Sequence, residues 1–106
     1  MITIPAKRGD TFKVRATARI AGVVVDLTGW TIRCQIRNKG ELISTVTVVY
    51  VDRVNGVYDL VVEPVGTALW PPVLMLSDIE YTNPSGIVAS TETFAIDGLE
   101  DETYTP

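Results

Sequence analysis

Four groups of side chains in this 106-residue chain are of types that do chemistry. Cys34 is the sole cysteine. A thiolate nucleophile needs a base or a cationic pocket, and the chain has no histidine. Cys34 shares an apolar face with Trp30, Ile32 and Ile36, so it reads as a buried, inert thiol. Asp78 and Glu80 form the kind of carboxylate pair that divides acid–base work on glycosides. Both fall on the outward face of one strand, with no cleft expected around them, and read instead as partners for arginines. The run Asp97-Gly98-Leu99-Glu100-Asp101-Glu102 offers carboxylates for weak Ca²⁺ binding but lacks the alternating ligand spacing of a dedicated loop. Arg8-Gly9-Asp10 spells a cell-adhesion tripeptide, and its Gly9 and Asp10 read as the turn into the first long strand. Without histidine and with one cysteine, His-based triads, most metal sites and an internal disulfide are excluded. The expectation is a protein that is not an enzyme, with no catalytic, metal-binding or cofactor-binding residue.

The elements that carry these residues belong to one small domain, since half of 106 residues is too short for its own core. Hydrophobic and charged fractions of 46% and 21% are those of a folded globule and exclude a disordered chain. No apolar run approaches the ~18 residues that span a bilayer. Met1-Ile2-Thr3-Ile4-Pro5-Ala6 meets Lys7-Arg8-Gly9-Asp10 before an apolar region develops, which is not the pattern of a signal peptide. Synthesis in a cytoplasm follows, with Cys34 reduced.

Period-two alternation dominates the chain. Phe12, Val14, Ala16, Ala18 and Ile20 face one way and Lys13, Arg15, Thr17 and Arg19 the other. Ile32, Cys34 and Ile36 line the inside of the next long strand beside Trp30. Asn38-Lys39-Gly40-Glu41 is a hairpin turn. The strand over 42–51 has an ambiguous inward face; Val46, Val48 and Tyr50 are favoured because Thr45 and Thr47 then meet water. Tyr58, Leu60 and Val62 point in, and Asp59 and Glu63 point out. One helical turn is expected near 65–70, stopped by Pro71-Pro72. Met75, Ser77, Ile79 and Tyr81 share one face of the strand over 73–82, and Leu74, Leu76, Asp78 and Glu80 the other. A last long strand covers 87–96. These are about seven strands, and they predict an all-β, antiparallel, two-sheet sandwich of the immunoglobulin-like kind, with an open barrel as competitor. The sandwich domain is placed at residues 1–98 and an acidic C-terminal tail at 99–106.

Net charge is −4, split unevenly. All nine bases lie between Lys7 and Arg53 against four acids; from Val54 onward there are nine acids and no base. A basic half invites a nucleic-acid reading, but strand order explains it better. Immunoglobulin-type order sets the second strand beside the fifth and the third beside the sixth. Lys13, Arg15 and Arg19 then face Asp59 and Glu63, and Arg33 and Arg37 face Asp78 and Glu80. Each such pair contributes ~0.2–1 kcal/mol, enough to help select neighbours. A meander would set the arginine-faced strands side by side. Neither a nucleic-acid partner nor a membrane is expected.

The surface feature that stands out is apolar. Leu74 and Leu76 face outward close to Trp70, Pro71 and Pro72, a clustering that marks an interface. The competing reading has Trp70 capping the sandwich core and a bulge turning the leucines in. Tyr104, in a tail suited to being held by a neighbouring subunit, completes the candidate set: Trp70, Pro71, Pro72, Leu74, Leu76 and Tyr104.

Several segments together carry a family resemblance: Arg8-Gly9-Asp10-Thr11, Val25-Asp26-Leu27-Thr28-Gly29-Trp30-Thr31-Ile32, Asn55-Gly56-Val57-Tyr58, Trp70-Pro71, Ser77-Asp78-Ile79-Glu80-Tyr81 and Ser85-Gly86. Over residues 7–97 the chain resembles the small β-sandwich module of tailed bacteriophages, notably the N-terminal part of upper baseplate proteins and short stand-alone virion proteins. It departs at Val73, where that family usually has glycine, and at Ser77, where an aromatic often precedes the aspartate. The resemblance implies a non-enzymatic structural component of the virion, tail- or baseplate-associated or a head–tail adaptor. Its implied partners are other virion proteins and copies of itself in a symmetric oligomer. A capsid decoration protein is the near variant; a carbohydrate- or receptor-binding sandwich is the alternative of another class.

Overall fold

Alternating side chains need two surfaces to separate, and the chain provides them by stacking two sheets. A computed structural model describes residues 2–91 and 93–100. Its elements are β1 (Thr3–Lys7), β2 (Phe12–Thr17), β3 (Arg19–Ile20), β4 (Val23–Val24), β5 (Thr31–Asn38), β6 (Glu41–Thr45), β7 (Thr47–Asp52), β8 (Val57–Val62), α1 (Pro64–Thr67), β9 (Leu74–Thr82), β10 (Val88–Ser90) and β11 (Phe94–Leu99). One sheet has the order β1-β11-β9-β5-β6, with β10 also on β9; the other has the order β2-β8-β7. β3 and β4 form a separate two-stranded ribbon. Among the described residues every pairing is antiparallel except β1 on β11, which is parallel. The fold is an all-β sandwich.

Strand neighbours follow the charges. Arg15 of β2 sits opposite Asp59 of β8, and Arg33 of β5 opposite Glu80 of β9. The Arg15 guanidinium donates two hydrogen bonds to the Asp59 carboxylate, at 2.9 and 3.3 Å, and Lys13 Nζ lies 3.7 Å from it. Arg33 and Glu80 approach to 3.8 Å. Arg37 instead donates to the Gly40 carbonyl and to Gln35 Oε1. Arg19 donates to the Gly22 carbonyl, within its own ribbon.

Asp59 corrects an expectation. It does point to the outer side of its strand, but it is buried there, under the stems of Lys13 and Arg15. The hydrogen bond from Arg15 is the main reason its carboxyl is held below the usual range, with burial opposing and the two cations adding to the effect. An acid with a depressed folded pKa stabilises the fold above its unfolded value near ~3.9, and that contribution fades as pH falls through the folded value. Wild-type protein is therefore expected to have a higher unfolding midpoint than the Asp59→Asn variant at pH 7, with the gap closing below about pH 4. Thermal unfolding of both proteins between pH 7 and pH 2 checks this; a constant gap contradicts it.

The inner faces supply the core. Ile32, Cys34, Ile36, Met75 and Ile79 from one sheet meet Phe12, Tyr58, Leu60 and Val62 from the other. Val46 is buried and Val48 and Tyr50 half-buried, as the favoured register requires. Three tyrosines tie the layers together. The Tyr58 and Tyr81 hydroxyls share a short hydrogen bond, and Tyr50 Oη accepts from the Ile32 amide at 3.0 Å. Burial pushes the Tyr58 phenol well up, and its bond to Tyr81 adds to the shift, so both groups stay neutral at ordinary pH.

Three of the expected long strands are broken. Residues 42–51 do not form one strand: β6 pairs β5 and β7 pairs β8, so the chain crosses between sheets at Val46. The alternation runs unbroken through the crossing, which is why it reads as one element. The first long strand ends at Thr17, and its continuation enters the ribbon. Ile20 is consequently 63% exposed rather than facing the core. The last one divides into β10 and β11, and β11 runs on to Leu99. Where they part, Thr91 takes the place of a ladder: its amide donates to the Ile79 carbonyl and its hydroxyl accepts from the Ile79 amide, both at 2.9 Å.

Candidate functional site

The residues of catalytic type are dispersed. Cys34 is buried on β5, and burial pushes its thiol up. Ser77 Oγ donates to the Gln35 carbonyl at 2.8 Å, so Cys34 is left to donate to Ser77 across 3.2 Å. This pair also accounts for the serine at position 77: a hydroxyl facing the core finds an acceptor there. Asp78 is exposed on the outer face and Glu80 pairs with Arg33, so the two do not converge on a shared cavity. Among the described residues no three His, Cys, Asp or Glu side chains lie close enough to hold a metal ion. Asp97 is held within β11 between β1 and β9, and Asp101 and Glu102 lie outside the described residues.

Arg8-Gly9-Asp10 is a turn, as its composition suggests, and it is engaged. Gly9 has φ +82°. Arg8 donates to the Ala68 carbonyl at 3.2 Å and lies 3.5 Å from Glu100. Thr67 Oγ1 donates to the Asp10 carbonyl at 2.6 Å. The tripeptide thus binds α1 and the end of β11 to the start of β2.

The apolar cluster divides. Trp70 is 0% exposed: its ring meets Phe12 edge to face at 5.5 Å and its Nε1 donates to Ser44 Oγ at 2.7 Å. It caps the core and leaves the surface set. The helical turn expected near 65–70 spans Pro64–Thr67, with Pro64 in its first turn, where a missing N–H costs nothing. That phase turns Trp70 inward and Leu69 outward, 82% exposed, with Val65 beside it in helical spacing. A Pro-initiated turn with Val65 and Leu69 four apart is the sequence signal for these two.

Leu74 and Leu76 do face outward, 54% and 43% exposed. Directly opposed residues share a face, and Leu76 lies opposite Arg37 of β5, which lies opposite Leu42 of β6. Leu76, the stem of Arg37 and exposed Leu42 therefore form one row across three strands, with Leu74 two residues further along β9. Pro71 is half-buried and Pro72 exposed at the head of β9. Tyr104 lies outside the described residues. Its exposed leucines can exclude water against another protein.

Sequence reasoning counts Arg53 among the bases, and the structure gives it more to do. Its guanidinium stacks 3.6 Å over the Tyr50 ring and donates to the carbonyls of Leu27 and Trp30, at 3.0 Å each. The loop over 26–30, with fully buried Leu27, is thereby pinned to the β7–β8 end of the sandwich.

No family model matches the chain, and no curated protein matches it in sequence. Among solved structures it is similar to the N-terminal domain of phage TP901-1 ORF48, with a TM-score of 0.66 and 19% identity, over 91% of this chain and 83% of that one. It is also similar to a variant of the SrpA adhesin from Streptococcus sanguinis, with a TM-score of 0.59 and 18% identity. That match covers all of this chain and 60% of the adhesin chain. No helix among the described residues is long and apolar enough to cross a membrane. At these identities the likeness is one of fold: the chain is an all-β sandwich built like a phage domain and an adhesin domain.

Proposed function

We propose that this chain is a non-enzymatic structural component of a tailed-phage virion, tail- or baseplate-associated or a head–tail adaptor. It acts through contacts with other virion proteins and copies of itself. The outward leucines Leu74, Leu76 and Leu42 on the larger sheet carry the contact role, because such a patch marks an interface. Similarity of fold to a phage domain over 91% of the chain, together with the sequence motifs, supports the virion setting. A capsid decoration role, the near variant, would call on the same exposed leucines. A glycan-binding sandwich needs an exposed aromatic platform, and burial of Trp70 removes the ring best placed to supply one.

Replacing Leu74 and Leu76 together by serine is expected to exclude the chain from assembled particles. The isolated variant should keep its unfolding midpoint within about 8 °C, as for surface substitutions. Quantitative mass spectrometry of purified particles, with calorimetry of the free protein, reads both. Wild-type incorporation of the variant contradicts the contact role, and absence of the wild-type chain from particles contradicts the virion setting.

A further inference from the structure

β1 and β2 leave a common turn at Arg8–Thr11 and separate, β1 into the larger sheet and β2 to the edge of the smaller one. The sandwich is open along the seam between them. A groove of about 480 Å³ there is walled by Ile2, Ile4, Phe12, Val14, Leu60 and Phe94 among others. Ile4, Val14, Ala16 and Phe94, which pack against the core, are only half-buried on this side. Among the described residues β2 has no strand on its outer side. An edge strand of this kind presents backbone N–H and C=O groups ready to pair with another chain. Pro5 has no N–H to offer, which makes β1 the poorer edge and β2 the better one.

The charges select the occupant. Alternation along β2 directs Phe12, Val14 and Ala16 toward the groove and Lys13 and Arg15 to the opposite face. Those two cations, with side chains about 60% exposed, share one carboxylate, Asp59. A strand added to β2 would rest alternate residues on the apolar wall and set the intervening ones beside Lys13 and Arg15. A second copy of β2 would bring like charges face to face, which is destabilising. The contiguous acids Glu100-Asp101-Glu102 of this chain would drive a carboxylate into the apolar wall. We infer that the free edge of β2 receives an extended segment of a different protein, in which apolar residues alternate with carboxylates, added as a further strand. The inference stands on the groove and its charges and does not rest on the virion reading.

A fluorescent nonapeptide alternating glutamate with valine, titrated against the full chain by anisotropy, tests it. Two controls accompany it: the same peptide with lysine for glutamate, and the same peptide N-methylated at alternate amides. The glutamate peptide is expected to bind at least about tenfold more tightly than either control. Lys13→Glu should weaken the glutamate peptide and strengthen the lysine one, with the unfolding midpoint checked in the same preparation. Three results would each overturn the inference: no binding of the glutamate peptide at millimolar concentration, equal binding of the two charge forms, or N-methylation without effect.

Discussion

Trp70→Ala is expected to lower the unfolding midpoint by more than about 12 °C. The side chain is fully buried, meets Phe12 edge to face and bonds Ser44 through its indole N–H. Truncating a buried tryptophan to alanine costs ~3–5 kcal/mol, from lost transfer energy and from the cavity left behind. Ser44 Oγ loses its donor as well. A domain of this size has a total stability of only ~5–15 kcal/mol, and each kcal/mol moves its midpoint by ~4–8 °C. Calorimetry of the isolated chain reads the effect. A shift of only a few degrees would mean that the indole is a surface group after all, and the contact face would need redrawing to include it.

Gly98→Ala is expected to destabilise the fold by a different route. Position 98 lies in β11 and is buried, and its amide donates to the Val73 carbonyl at 3.0 Å. A Cβ built there would stand 2.4 Å from the Pro71 carbonyl oxygen and 3.1 Å from that of Val73. Both obstacles are backbone, so no side chain can swing aside. The connection over 71–73 must move off β11, and it leads directly into Leu74. A cost of ~1–3 kcal/mol is expected from overpacking, hence a midpoint lower by at least about 4 °C. Weakened assembly should follow from the displaced start of β9. An unchanged midpoint would show that the close approach is not a constraint.

Much of this fold can be read from alternation, because burial on one face of a strand imposes a period of two. β5 and β9 as far as Ile79 follow that rule residue by residue, and in β8 buried Asp59 breaks it. Charge then orders the strands, since Arg15 opposite Asp59 and Arg33 opposite Glu80 exclude a meander. Three features escape both signals. The sheet switch at Val46 leaves the period intact. The parallel partnership of β1 with β11 joins opposite ends of the chain, where no local pattern reports it. Asp59 looks like a solvated carboxylate until the stems of Lys13 and Arg15 are seen above it. For the site, outward Leu74 and Leu76 are legible and Trp70 is not. Whether a ring at the end of a helical turn points in or out depends on where the turn starts, and Pro64 sets that phase.

In the proposed function the protein works through the outer face of the larger sheet. Hydroxyl-radical footprinting of the free chain and of the chain within purified particles tests this most directly. Oxidation of Leu74 and Leu76 is expected to fall severalfold on assembly, while Ile20, exposed on its separate ribbon, serves as the internal reference. Equal oxidation of both leucines in the two states would contradict that role.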